Sequence, residues 1–334
     1  MTDPLDALQP DARPLLVRRA QPSWVDPTLA TLTDDRFSDP AWIFEPKFDG
    51  ERCLAFRDGS GVRLLSRNRK QINDRYPELV EALAAQRADD FVVDGEIVAF
   101  EGGVSSFARL QPRMQVSEAE QARDSGVAVY LYVFDVLHAC GHDVRKVPLR
   151  ERKAVLRELL SFRDPLRYTT HRNTDGEDYW EKACRSGWEG VIAKHAEAPY
   201  RVGRSRGWLK FKCENAQEFV IGGYTDPRGG RAGLGALLLG FYSGDDLVYA
   251  GKVGTGFDEQ MLQMLRDELE GLKRGRPAFD RGALPRSGVH WVEPRLVGQV
   301  AFTEWTQDGQ LRHPRFQGLR RDKKASEVVK EQPS

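Results

Sequence analysis

Val127 to Leu137 (VAVYLYVFDVL) is nearly all apolar and rich in β-branched and aromatic residues, which predicts a strand buried on both faces. Phe91 to Phe100 reads as two short β segments placed around Asp94-Gly95, a turn-forming pair. Helical spacing of apolar positions marks Tyr76 to Ala88, Leu149 to Leu160 and Glu177 to Arg185. Gly187 and Gly190 then bracket a turn into the run Val191-Ile192-Ala193. Residues 1–20, with prolines and arginines among them, are expected to form a flexible arm.

The pattern changes after Lys212. Phe219 to Tyr224, Ala236 to Tyr242, Leu247 to Ala250 and Val297 to Trp305 read as short strands between glycine-rich turns, with one helix over Asp258 to Leu272. Short strands with a single helix suit a small barrel of the OB type. The chain is therefore expected to be α+β, with one domain over residues 21–213 and a barrel over 214–330, joined near Cys213 to Asn215. No internal repeat is visible.

Composition narrows the classes. A hydrophobic share of 40% in 334 residues supports two real cores. No apolar run of about 18 residues is present, so no membrane span is expected. The first residues lack a basic segment followed by an apolar one, which argues against a secretory signal. Cys53, Cys140, Cys184 and Cys213 are far apart and form no CxxC pair, so reduced thiols are expected rather than a disulfide framework or a zinc site. The formal net charge is zero, which alone speaks weakly against a nucleic-acid partner. Its distribution matters more. Basic residues cluster at Arg57 to Arg75, Arg201 to Lys212 and Arg312 to Lys324, while acidic ones gather in Asp258 to Glu270. Such clusters either meet phosphates or are solvated surface.

The densest chemistry lies in Glu45-Pro46-Lys47-Phe48-Asp49-Gly50-Glu51-Arg52, a lysine after a strand with Asp-Gly and Arg close behind. Alone this is a charged turn that recurs by chance. An ordered set follows it: Ser66-Arg67-Asn68, Asp94-Gly95-Glu96, Tyr132 to Leu137, Glu189 to Lys194, and Trp208-Leu209-Lys210-Phe211-Lys212. In this order and at these spacings the series resembles the nucleotidyltransferase motifs of covalent ATP-dependent DNA ligases. His313-Pro314-Arg315 followed by Arg320-Arg321-Asp322-Lys323 resembles the last motif, carried on the family's OB domain. The run Gly251 to Phe257 is similar to a turn in ligase OB domains. It lacks the GxxxxGK[ST] arrangement of a phosphate-cradling loop. The resemblance extends from about Trp42 to Lys323. It implies an adenylation (nucleotidyltransferase, ATP-grasp-like) domain with antiparallel sheets, followed by an OB-fold barrel. It also implies a monomer like the small bacterial ligases called ligase C, acting in the cytoplasm on nicked duplex DNA, with DNA-repair proteins as partners.

A lysine amine attacks phosphorus only when neutral, and from a free pKa near 10.4 neutrality at pH 7.5 costs roughly 4 kcal/mol. Neighbouring cations and a bound metal lower that cost. Lys210 and Lys212, two apart on a strand and so facing one way, are the cations to suspect. Mg²⁺, with Mn²⁺ as an alternative, needs oxygen ligands, for which Glu96 and Glu189 are candidates and Asp49 acts through metal-bound water. Glu96 reads otherwise as a surface turn residue and Glu189 as a helix-end charge. The resemblance adds further roles. Lys47 takes AMP from ATP, Arg52 contacts the ribose, and Phe134 stacks on adenine, unless it is simply a core aromatic. The backbone beside Glu45 reads the adenine edge, and Lys194, Lys210 and Lys212 meet the α-phosphate. Arg67 receives the 5′-phosphate of the nick, and Arg315, Asp322 and Lys323 orient pyrophosphate. RNA ligation, mRNA capping and a non-catalytic nucleic-acid-binding relative stand as alternatives. Comparing ATP with GTP as label donor, then nicked DNA with nicked RNA as substrate, separates the first two from DNA ligation.

Overall fold

The structure is a computed structural model that describes residues 3–213, 215–227, 233–285, 287–306 and 308–331. It divides into two compact units that meet between Cys213 and Asn215. Among the described residues, no helix is long and apolar enough to cross a membrane.

The first unit is built on two sheets. A seven-stranded sheet carries Glu51–Asp58, Gly61–Ser66, Phe91–Val98 and Tyr130–Ala139 as antiparallel neighbours, with Leu166–Tyr168 added in parallel beside Tyr130–Ala139. A five-stranded sheet places Trp42–Lys47 beside Gly190–His195, which pairs in turn with Gly203–Lys212; Thr28–Leu32 forms its edge. One face of the larger sheet buries the main core. The helices Pro77–Ala84, Phe107–Met114 and Leu149–Leu159 contribute Leu79, Leu83, Phe107, Leu110, Val155 and Leu156 to it. The outer face of the smaller sheet packs Phe44, Val191, Ala193 and Phe211 against Tyr179 and Ala183 of the helix Gly176–Arg185. Between the sheets lies a third cluster with Leu54, Phe56, Val92, Phe134, Tyr200 and Trp208. Burying these apolar faces on both sides of each sheet is what fixes strand register, because a one-residue slip would turn every side chain over.

The second unit is the barrel expected of an OB-type domain. Asn215–Thr225 is flanked by Leu237–Ser243 and Val297–Phe302, with Asp246–Val253 and Arg315–Leu319 outside them. The helix Glu259–Glu270 is capped by Asp258, whose carboxylate accepts from Met261 N at 2.7 Å, and buries Leu262, Leu265 and Leu269.

Three expectations are corrected. The expected flexible arm over residues 1–20 is ordered in its described part, from Asp3 onward: Pro4–Ala7 and Arg13–Leu15 are short 3₁₀ turns, Leu5, Leu8 and Ala12 are buried in the main core, and Val17–Arg18 pairs with His142–Asp143. Phe91–Val98 is one strand rather than two around a turn. Gly95 is needed there for close approach: a Cβ would stand 2.7 Å from the Tyr132 carbonyl. The thiols are not all free, because Cys184 and Cys213 form a disulfide across a Cα separation of 5.2 Å, leaving Cys53 and Cys140 unpaired. The end of the helix Gly176–Arg185 and the end of the strand Gly203–Lys212 are brought together by the fold, not by sequence spacing.

Candidate active site

The smaller sheet sets out the charged residues in rungs. Directly opposed residues of a ladder project to one face. Lys47, Gly190 and Lys212 make one rung, Glu45, Ile192 and Lys210 the next, and Ile43, Lys194 and Trp208 the third. Lys47, Glu45, Lys194, Lys210 and Lys212 therefore share the face turned toward the larger sheet. Gly190 has φ 148°, and a Cβ at that position would collide with the Phe211 carbonyl and approach Lys212 Cα to 3.0 Å.

The larger sheet answers with its own rung of Arg52, Glu96 and Tyr132. The Arg52 guanidinium is held by Asp94 through two bonds of 2.5 and 2.6 Å, and it lies 4.8 Å from the Phe134 ring and 5.7 Å from Trp208. Asp94 also accepts from the Tyr200 hydroxyl at 2.6 Å, and that hydroxyl accepts from Thr28 N at 3.0 Å. Burial opposes the Arg52 charge, but the Asp94 carboxylate outweighs it and raises the pKa. Tyr200 is pushed well above the ordinary phenol range by burial and by Asp94. Phe134 is buried, with its ring face occupied by Arg52 and by Lys194 Nζ at 4.0 Å.

Lys47 Nζ is ion-paired with Glu189 Oε1. Burial lowers the amine's pKa, but Glu189, Asp49 and Glu96 more than reverse this, so its pKa is raised. Around the amine the larger influences are burial and these three carboxylates, with Lys210 and Lys212 not among them. Glu189 Oε2 is buried and finds no hydrogen-bond partner among the described residues. An orphaned carboxylate oxygen beside Glu96 and Asp49 suits a hard oxygen-seeking cation. Among the described residues no three of His, Cys, Asp and Glu converge to form a metal cage by themselves. A Mg²⁺ here would need water or substrate oxygens to complete its shell. Asp49 is placed by its neighbours: its N–H donates to Ser105 Oγ at 3.1 Å, and its Oδ2 accepts from Phe107 N at 3.2 Å.

Glu45 is buried and takes a lysine on each oxygen, Lys153 on Oε1 and Lys194 at 2.5 Å from Oε2. Burial raises its pKa, but the two ammonium groups overcome this and hold it low. Lys194 is lowered to about 8, by burial first and also by Lys153. Lys153, Asp94 and Tyr200 were not among the residues singled out in sequence. Asp94 stands within a quoted motif and could have been found there, whereas Lys153 and Tyr200 lie outside every motif. Arg67 sits in the turn that leaves Gly61–Ser66, a strand that pairs Ser66 with Cys53, next to Arg52. In the second unit Arg315 opens the strand Arg315–Leu319, Asp322 grips Arg320 at 2.9 and 2.8 Å, and Lys323 pairs with Glu218 at 3.1 Å. Burial would raise Asp322, but Arg320 holds it below the usual carboxylate range.

Two mainly antiparallel sheets facing each other across a lysine-lined cleft, followed by an OB-fold unit, are the architecture of the nucleotidyltransferase superfamily. Residues 27–212 match the ATP dependent DNA ligase domain and residues 230–323 the ATP dependent DNA ligase C terminal region. The chain belongs to the ATP-dependent DNA ligase family. It is 40% identical over 98% of its length to the multifunctional non-homologous end joining protein LigD of Pseudomonas aeruginosa, and 37% identical over 93% to that of Mycolicibacterium smegmatis. In both cases it spans 40% of the relative's length. Among solved structures it is similar to a mycobacterial DNA ligase D complexed with ATP and MES, at 34% identity and a TM-score of 0.66, covering 92% of this chain and 98% of that one.

Proposed function

We propose that Lys47 takes AMP from ATP and that the adenylate then passes to the 5′-phosphate of a nick in duplex DNA, which the adjoining 3′-hydroxyl seals. The observation that carries this reading is Lys47 at a strand end, on a rung with Lys212 and paired to a carboxylate with an orphaned second oxygen. Lys47 first gives its proton to solvent. Its nitrogen then bonds the α-phosphorus as the bond to pyrophosphate breaks, and the new N–P nitrogen sheds a second proton to solvent, a transfer governed by positioning and charge neutralisation. Lys194, Lys210 and Lys212 neutralise the α-phosphate, Phe134 stacks on the base, the backbone beside Glu45 reads its edge, and Arg52 contacts the ribose. Mg²⁺ held by Glu189 and Glu96, with Asp49 reached through water, would supply the positive charge that frees Lys47 from its carboxylates.

In the second step a 5′-phosphate oxygen bonds the AMP phosphorus, the N–P bond breaks, and the Lys47 nitrogen takes back both protons from solvent. Arg67 holds that 5′-phosphate, which suits arginine's planar fork. In the third, the 3′-hydroxyl loses its proton and bonds the 5′-phosphorus as AMP leaves. Arg315, Asp322 and Lys323 act on the pyrophosphate of the first step. The exposed arginines Arg201, Arg204 and Arg206 grip the DNA backbone. The relatives named as non-homologous end joining proteins support a role in repair of broken ends. Incubation with α-labelled ATP and Mg²⁺ tests the reading: label should stay on the denatured protein, and Lys47→Ala should abolish it. Labelling that survives the substitution overturns it.

A further inference from the structure

Two lysines share one buried carboxylate, but they share it unequally. Lys153, on the helix Leu149–Leu159, spends its three N–H donors on Glu45 Oε1, the Thr169 carbonyl at 3.1 Å and the Phe134 carbonyl at 3.5 Å. It is saturated and fixed. Lys194 is equally buried and is ion-paired with the other oxygen, Glu45 Oε2, at 2.5 Å, with Lys153 as a second positive charge on the same carboxylate. It is held by charge and lies between the faces of Phe134 at 4.0 Å and Trp208 at 3.9 Å. Two ammonium groups on one carboxylate leave a net positive charge that an anion would neutralise.

We propose that Lys153 is a positioning residue for nucleotide binding: by sharing the charge of Glu45 it weakens that carboxylate's hold on Lys194, so that Lys194 can turn from Glu45 to the α-phosphate. This rests on the reading that Lys194 meets that phosphate. Asp135, which faces the same space, is itself bound bidentate by Arg152 at 2.7 and 2.8 Å and does not replace Glu45 as an anchor. Arg52 shares the Phe134 face but is committed to Asp94. Lys153 thus sets how tightly Lys194 is kept without touching the reacting atoms.

The test uses α,β-methylene ATP, whose α-phosphorus cannot lose pyrophosphate, with dissociation constants measured from pH 6.5 to 9.5. In the parent protein binding should weaken above pH about 8, as Lys194 loses its proton. Lys153→Gln removes the repelling neighbour, so Lys194 is held harder by Glu45. Affinity should fall about tenfold, the loss of one charge-assisted bond, and the break should move to higher pH. Lys153→Arg should restore both to near the parent values. Glu45→Gln removes the group that favours the charged Lys194, so its break should move below pH 8. A simple loss of packing would not drive the break in opposite directions, and either variant alone reports a direction if the other fails to fold. An unmoved break, or shifts of the same sign, overturns the assignment. Absence of an AMP adduct on the parent protein with ATP itself would instead overturn the reading on which it rests.

Discussion

Reducing the Cys184–Cys213 disulfide opens a covalent loop of 29 residues. That loop holds Glu189, Lys194, Lys210 and Lys212, so the crosslink, which ties the helix Gly176–Arg185 to the end of the strand Gly203–Lys212, encloses the two strands on which most of the charged face stands. In the chain-entropy account, closing a loop of this length restricts the unfolded chain by about 3.6 kcal/mol at 25 °C. Backbone contacts at the same place survive reduction: Cys213 N donates to the Glu189 carbonyl at 3.1 Å, and Trp180 Nε1 donates to the Lys212 carbonyl at 3.2 Å. The folded state therefore keeps its ladder, and the effect falls on the unfolded chain. For a unit of this size each kcal/mol moves the midpoint by roughly 2–4 °C, so reduction should lower the first unit's melting temperature by about 7–14 °C. Calorimetry with and without a phosphine reductant measures this, with Cys184→Ser as the control that reductant should leave unmoved. Alkylation of the denatured, unreduced protein should modify two cysteines, Cys53 and Cys140, and four after reduction. Four modified without reductant, or a midpoint unchanged by it, would refute the reasoning.

Other outcomes follow from the site. Adenylation should accelerate with pH about tenfold per unit below the Lys47 pKa, because the neutral amine attacks. Raising Mg²⁺ should move that profile to lower pH, since the carboxylates that hold the Lys47 proton are neutralised; stopped single-turnover assays read both. Gly190→Ala places a methyl against the Phe211 carbonyl and should destabilise the first unit by about 2 kcal/mol or more in urea titration. Tyr200→Phe leaves Asp94 one donor short and should raise the KM for ATP about three- to tenfold, corresponding to about 1 kcal/mol, while Asp94→Asn should cost more because it also loosens Arg52.

Much of the cleft was legible because its residues recur in short ordered runs. Lys47, Glu96, Glu189, Lys210 and Lys212 were named from such runs, and the ladder registers place Lys47 and Lys212 on one rung. Lys153 was not legible. It lies 108 residues from Glu45, and a lysine in an amphipathic helix reads as solvated surface until tertiary packing turns it inward. The Cys184–Cys213 bridge was missed for the same reason, since nothing local brings a helix end to a strand end. The opening residues carried a weak sign that was passed over: Leu5, Leu8 and Ala12 are spaced for one face, but a stretch so short has too few turns for periodicity to register. Asp94-Gly95 misled in the opposite way, because its turn chemistry is strong locally and the close passage of Tyr132 that requires the glycine is not.

The claim that Lys47 carries the nucleotide is tested most directly by peptide mass spectrometry of the protein after exposure to ATP and Mg²⁺. The account predicts the added mass of one AMP on the peptide containing Lys47, removed by nicked DNA and absent from Lys47→Ala. An adduct on any other residue, or none in protein that nonetheless seals nicks, would contradict it.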